Sequence, residues 1–161
     1  MIELSPEKIK ILSHPYYAET FKEDEISLER YFIEPGKKII ATIRICKSAF
    51  DKNEKTKKYL SGLLATRCIH QIWFTYLAWA YKKDEINFYP REFSLRFKKF
   101  ITQRIFIVIL NIKHKTSKSG KTIFKLTADF DNGKLTGSTT MLGVPKNNGE
   151  CYSTDFMLFK T

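Results

Sequence analysis

Residues 60–81, LSGLLATRCIHQIWFTYLAWAY, are a helix-length run with one formal charge, Arg67. Three readings compete for it: a membrane span, a buried core helix, and a core helix that offers polar groups to a ligand. A span needs about twenty hydrocarbon-compatible residues. Arg67 near the middle would cost about 3 kcal/mol on insertion, and His70 and Gln71 add to that cost. The most apolar part, residues 72–81, is too short to cross. The run therefore reads as a core helix, and a helix apolar on nearly every side must be covered on nearly every side.

At about 100° per residue, Cys68, Ile69, Ile72, Trp73, Tyr76, Trp79 and Ala80 share one broad arc. Thr66, Arg67, His70 and Gln71 form a narrower stripe of roughly 140° opposite, with Thr75 just beyond its edge. These polar residues either meet partner groups or water at a subunit interface, or line a ligand cavity.

The flanking sequence supplies the cover. Upstream, LSPEKIKIL reads as a short helix with Ser5 as N-cap and Pro6 in its first turn, broken at Pro15. RYFIE and KKIIATIRIC are strands joined by the EPGKK turn; Ile39, Ala41, Ile43 and Ile45 share one face. DKNEKTKK is a solvated connection into the helix. Downstream, YKKDEINFYPRE reads as a connection closed by Pro90. EFSLRFKKFI then sets Phe93, Leu95 and Phe97 against Ser94, Arg96 and Lys98. The run from Ile105 to Leu110 is apolar on both faces and suits a central strand covered on both sides. KTIFKLTADF alternates, Asp131-Asn132-Gly133 is a hairpin turn, and KLTGSTTML returns. One long helix with segregated antiparallel strands means α+β, a curved sheet wrapped around the helix. The whole, 1–161, reads as one domain with an N-terminal helical segment over 5–28 and a C-terminal extension over 144–161.

At 161 residues, with 43% hydrophobic and 14% aromatic residues, the chain can bury a core. Its 28 Lys+Arg against 17 Asp+Glu leave +11, which favours anionic partners such as nucleic acid, acidic proteins, phosphorylated cofactors or anionic lipid. Cys46, Cys68 and Cys151 are too scattered for a disulfide framework. His14, His70 and His114 do not fall at ligand spacing, so no metal is expected. The start, MIELSPEKIKIL, lacks the pattern of a signal peptide; the expectation is a reduced, cytoplasmic protein.

In this order the elements resemble the hotdog superfamily of acyl-thioester enzymes, and within it the FcoT-like branch. The matching pieces are ILSHPYY, IIATIRICKSAF, LAWAY, REFSLRF and DFDNGKLTGSTTML, across most of residues 11 to 143. The resemblance implies long-chain acyl thioesterases or enzymes acting on enoyl groups held on acyl carrier protein. It also implies a homodimer, because this fold usually builds its pocket between two subunits. The family's Pro-Tyr matches Pro15 with Tyr16 or Tyr17. Its loop tyrosine falls on Phe50, which lacks the hydroxyl, and Tyr59 nine residues on could substitute. Two family asparagines fall near Thr66 and Thr75.

No carboxylate occurs between Glu54 and Asp84, so a helix Asp or Glu acting as base or nucleophile is disfavoured. What remains is electrostatic: the helix start near Ser61-Gly62 offers free backbone N–H groups to a thioester oxyanion, worth about 3 kcal/mol per well-aimed donor. Gly62 permits close approach, and His70 could orient water or serve as a satisfied core or interface histidine. Cys68 faces the apolar arc and reads as packing. The absence of G-x-S-x-G argues against a serine hydrolase. RFKKFITQR and KHKTSKSGK would suit coenzyme A phosphates or the acidic face of a carrier protein, or are simply a solvated strand face. Arg96, Lys98, Lys99 and Lys115, with Phe97 and Phe100, resemble a nucleic-acid strip, but these two aromatics fall on opposite strand faces.

The reading is thus an acyl-thioester-processing enzyme without cofactor. His70, Tyr59 and Thr66 are its candidate catalytic residues; Tyr17, Phe50, Gly62, Arg67, Gln71 and Thr75 are candidate substrate contacts. The alternatives are a non-catalytic hotdog protein that binds acyl chains or a partner and, more weakly, a basic nucleic-acid-binding module.

Overall fold

The computed structural model describes residues 1–20, 26–46, 59–80, 86–116 and 122–145. In chain order the elements are β1 (Ile2–Glu3), α1 (Pro6–Thr20), β2 (Ile26–Glu34), β3 (Lys38–Ile45), α2 (Gly62–Ala80), β4 (Ile86–Phe97), β5 (Ile105–Thr116), β6 (Thr122–Phe130) and β7 (Leu135–Pro145). The strands form one antiparallel sheet in the order β1-β2-β3-β5-β6-β7-β4. The strand that follows α2 therefore lies at the far edge, beside β7 rather than β5.

Alternation sets which face turns inward. On β3, Ile39, Ala41, Ile43 and Ile45 are fully buried, as their period of two requires. Val108, Leu110 and Ile112 of β5 and Phe124, Leu126, Ala128 and Phe130 of β6 continue that layer. Two hairpins fix the register. Gly36 takes φ +68° between β2 and β3, and Asp131, Asn132 and Gly133 take φ 50°, 57° and 79° between β6 and β7. Asp129 Oδ1 accepts a 2.6 Å hydrogen bond from the Gly133 N–H, locking the second turn.

The long helix is held from several strands at once. The Tyr31 hydroxyl on β2 donates to the Ile72 carbonyl, and the Gly36 N–H donates to Tyr76 Oη at 3.0 Å. The Trp73 ring lies 5.4 Å from Phe124 of β6 and stacks on Tyr76 at 5.4 Å. At Gly137 of β7 the helix comes so close that an added Cβ would stand 3.0 Å from both Ile69 Cδ1 and Leu95 Cδ2. Burial this complete stabilises α2 by packing rather than by propensity. Among the described residues no helix is long and apolar enough to cross a membrane.

Four expectations need correction. The first helix does not break at Pro15 but runs on to Thr20. An interior proline costs about 3 kcal/mol, which docking of the buried Ile9 and Ser13 side against the core offsets. The helical segment ends there, since residues 26–28 already belong to β2. Pro90 does not close a connection: it lies inside β4, where the register shifts between Pro90 and Glu92, and a bulge accommodates the missing N–H. Finally, among the described residues no helix or strand covers the outer face of β5. Both helices lie on the inner face, leaving Ile105 45% and Ile107 50% exposed on the outer one. The extension over 144–161 begins inside β7, and residues 146–161 lie outside the described residues.

The packing implies a graded response to truncation. Trp73→Ala should lower the unfolding free energy by about 3–5 kcal/mol, whereas Tyr31→Phe, which removes one hydrogen bond to the helix backbone, should cost about 1 kcal/mol. Urea denaturation followed by circular dichroism measures both; equal losses would contradict the packing described.

Candidate functional site

The start of α2 is built by a cap and a glycine. The Ser61 hydroxyl accepts from the Leu64 N–H at 3.2 Å, and the Ser61 carbonyl accepts from the Ala65 N–H at 2.9 Å. This capping leaves the N–H groups of Gly62 and Leu63 outside the intrahelical ladder, at the positive end of the helix dipole. The side of β4 that carries Leu95 and Phe97 stands opposite. A Cβ on Gly62 would meet Leu95 Cδ1 at 3.8 Å and Phe97 Cε2 at 3.9 Å, ordinary contact distances, so the glycine holds open a slot one methyl group wide.

Gly62, Thr66 and His70 succeed one another at four-residue intervals and share the flank of α2 that faces β4. Thr66 is half-buried and its hydroxyl donates to the Gly62 carbonyl at 2.9 Å, so its proton is already committed. His70 is half-buried, with its ring edge-on to Phe93 at 5.9 Å and to Phe74 at 6.4 Å. Its Nε2 is buried and has no hydrogen-bond partner. Burial pushes its pKa below the usual histidine value, so the imidazole is neutral near pH 7.

The other expected site residues separate. Tyr59 is exposed just outside the helix start, its ring 4.9 Å from Phe100. Arg67 is half-buried on the next flank. Gln71 is 1% exposed, and neither its amide oxygen nor its amide nitrogen finds a partner. Thr75 is wholly buried and donates to the Gln71 carbonyl at 2.8 Å, leaving it no proton for a ligand. Phe50 and the Tyr17 side chain lie outside the described residues. Cys68 is fully buried and its thiol is pushed well up by desolvation, as packing requires. Among the described residues no cluster of His, Cys, Asp and Glu could hold a metal ion.

Sequence reasoning paired Phe93, Leu95 and Phe97 but did not assign them to the site. Their alternation with Ser94 and Arg96 was the signal; only the edge position of β4 brings them against α2. That position also weakens the nucleic-acid strip, because Phe97 turns toward Gly62 and Phe100 rests on Tyr59.

A curved antiparallel sheet around one long helix has close counterparts among solved structures. A mutant thioesterase from Pseudomonas aeruginosa superposes with a TM-score of 0.57 at 12% identity, over 88% of this chain and 95% of that one. The dehydratase domain from the CurJ module of curacin polyketide synthase gives a TM-score of 0.60 at 13% identity, over 91% of this chain and 50% of that one. A hypothetical thioesterase with coenzyme A from Streptococcus pneumoniae gives 0.50 at 9%, over 83% and 94%. The chain has the hotdog fold. No family model and no curated protein matches it. In hotdog terms, α2 is the central helix and β4 is an outer strand of the wrapping sheet.

The buried imidazole fixes a pH dependence. His70 binds its proton less readily folded than unfolded, so the unfolded state gains protons first as pH falls below about 6.5. Stability should therefore decline through that window in the parent protein. The decline should be smaller in His70→Gln, as thermal melts from pH 8 to about pH 5 would show. An unchanged pH profile in the variant would overturn the assignment.

Proposed function

We propose that this hotdog protein processes acyl thioesters, by hydrolysis of a fatty acyl thioester or by addition or transfer at an enoyl group carried on coenzyme A or acyl carrier protein. One observation carries the reading: the start of α2, where the Gly62 and Leu63 N–H groups lie outside the intrahelical ladder, adjoins the apolar side chains of Leu95 and Phe97 at Gly62. An acyl chain along those side chains would set its thioester carbonyl at the positive end of α2. Each backbone donor at that end that met the carbonyl oxygen could stabilise a developing oxyanion by about 3 kcal/mol. Neutral His70 lies further along the same flank, and its unpartnered Nε2, closed off from solvent here, would reach a water only on a rearrangement of Phe74 and Phe93 around it. Thioesterase neighbours, one of them with coenzyme A, support the substrate class.

A homodimer completes this reading. β4 is an edge strand, and Leu63, Phe93 and Phe97 expose apolar surface beside the helix start, Leu63 to 64%. A second subunit covering them would exclude water from the slot and could supply the acid or base that α2 lacks. The non-catalytic alternative also has a specific observation in its favour. The Thr66 hydroxyl is spent on the Gly62 carbonyl, and no carboxylate is present in the helix.

Incubation with acyl-coenzyme A and acyl-carrier substrates separates the two. Turnover should fall by about 10²-fold in Gly62→Val, whose branched side chain fills the slot and pushes the substrate out of register. It should fall by about 10-fold to 10³-fold in His70→Ala, with Tyr59→Phe reporting whether its hydroxyl takes part. Acyl binding without turnover would establish the non-catalytic reading. Sedimentation equilibrium should give a dimer, and Leu63→Asp with Phe93→Asp should shift it to monomer. A monomeric parent protein would remove the completed pocket.

A further inference from the structure

The outer face of the sheet is left without cover by both helices, and its residues are sorted by chemistry. Along β5 that face reads Ile105, Ile107, Ile109, Asn111, Lys113, Lys115. Of the isoleucines, Ile109 lies between Ile40 of β3 and Asp129 of β6, while Ile107 lies opposite Thr42 and Ile105 opposite Arg44. The lysines adjoin β6, where Lys125 lies directly opposite Lys113, and Ile123, 39% exposed, lies opposite Lys115. Like charges set opposite each other across a ladder destabilise it. No ion pair relieves them among the described residues. Asp129 is four residues along β6, and one of its oxygens is taken by the Gly133 N–H. Glu92 is two strands away, across Thr140. Glu34 pairs with Lys37, and Glu29 with Arg44.

An uncompensated lysine cluster beside exposed aliphatic side chains, on one face, calls for an occupant that is both anionic and apolar. We infer that this outer face docks on an anionic lipid bilayer, the isoleucines entering the boundary between headgroups and acyl chains and Lys113, Lys115 and Lys125 meeting the headgroups. Lysine suits that boundary, since its stem lies along apolar surface while the ammonium reaches the charge. Protein docking surfaces instead concentrate aromatic residues and arginine and deplete lysine. A nucleic acid would want exposed rings for stacking. The aromatic residue beside Ile40, Phe32, is half-buried and capped by the Arg30 guanidinium at 4.8 Å. A second copy of this chain, at +11, would bring a second set of the same lysines onto one interface. The inference stands apart from the thioester reading, because it uses none of the residues around α2.

Vesicle sedimentation tests it. The protein should partition onto phosphatidylcholine–phosphatidylserine vesicles, weakly onto phosphatidylcholine alone, and less as salt is raised. Each lysine facing anionic lipid contributes about a fivefold gain, so Lys113→Gln with Lys125→Gln should reduce partitioning roughly 25-fold. Ile107→Ser should weaken it without changing the salt dependence. Removing the like-charge pair should hold or raise the melting temperature, which separates lost binding from lost folding. Lys8→Gln with Lys10→Gln, exposed on α1 on the inner side, should change partitioning little. Equal binding to neutral and anionic vesicles would overturn the inference. So would an undiminished Lys113/Lys125 variant, an equal loss in the α1 control, or capture of polyglutamate or oligonucleotide by these lysines with none of anionic vesicles.

Discussion

The structure depends on hiding α2 from water. A helix whose arc includes Cys68, Ile69, Ile72, Trp73 and Tyr76 has no stable place except inside a closed surround. A flat sheet covers one side of a helix; a curved one covers most of it. Tyr31, Phe124, Gly137 and Leu95, from four strands, all come within contact of α2 or of residues on it. The same curvature fixes where the helix can be reached, at its beginning and along the flank beside β4. It also leaves Ile105, Ile107 and Ile123 exposed on the sheet's other face.

Chemistry at the accessible end follows from what the helix has not consumed. Serine and threonine inside helices spend hydroxyls on the backbone, and Thr66 and Thr75 do so. That removes two side chains which the sequence offers as ligands. It leaves backbone N–H groups, a neutral imidazole and the buried Gln71 amide. An unpaired buried carboxamide costs on the order of 1–3 kcal/mol, so Gln71 is an expense that the described packing does not recover.

Particular residues show how far the sequence could be read. Ile39, Ala41, Ile43 and Ile45 declared their face by period alone, and Asp131-Asn132-Gly133 declared its turn by tolerance of positive φ. The errors share a cause. Pro15 and Pro90 are local breaking signals that tertiary packing and a bulge overrode. The apolar run through β5 looks the same whether one face or both are covered, because side-chain hydrophobicity records suitability for burial and not its occurrence. For the site, Gly62, Thr66 and His70 could be placed on one flank from helical spacing. Their opposing wall could not, because β4 reaches α2 only through a pairing with β7 that lies some forty residues away in sequence.

The sequence by itself determined that the run holding Gly62–Ala80 forms a buried helix, that alternating strands supply its cover, and that no carboxylate lies on it. These are local facts, set by periodicity and by which side chains water rejects. Tertiary structure alone decided that β4 stands at the sheet edge beside the helix start, and that hydroxyls on α2 turn back to its own backbone. It also decided that isoleucine and lysine gather uncovered on the outer face. Each of these depends on which strand pairs with which, and chain-distant pairing is settled by the global packing of the core rather than by any segment's own preference.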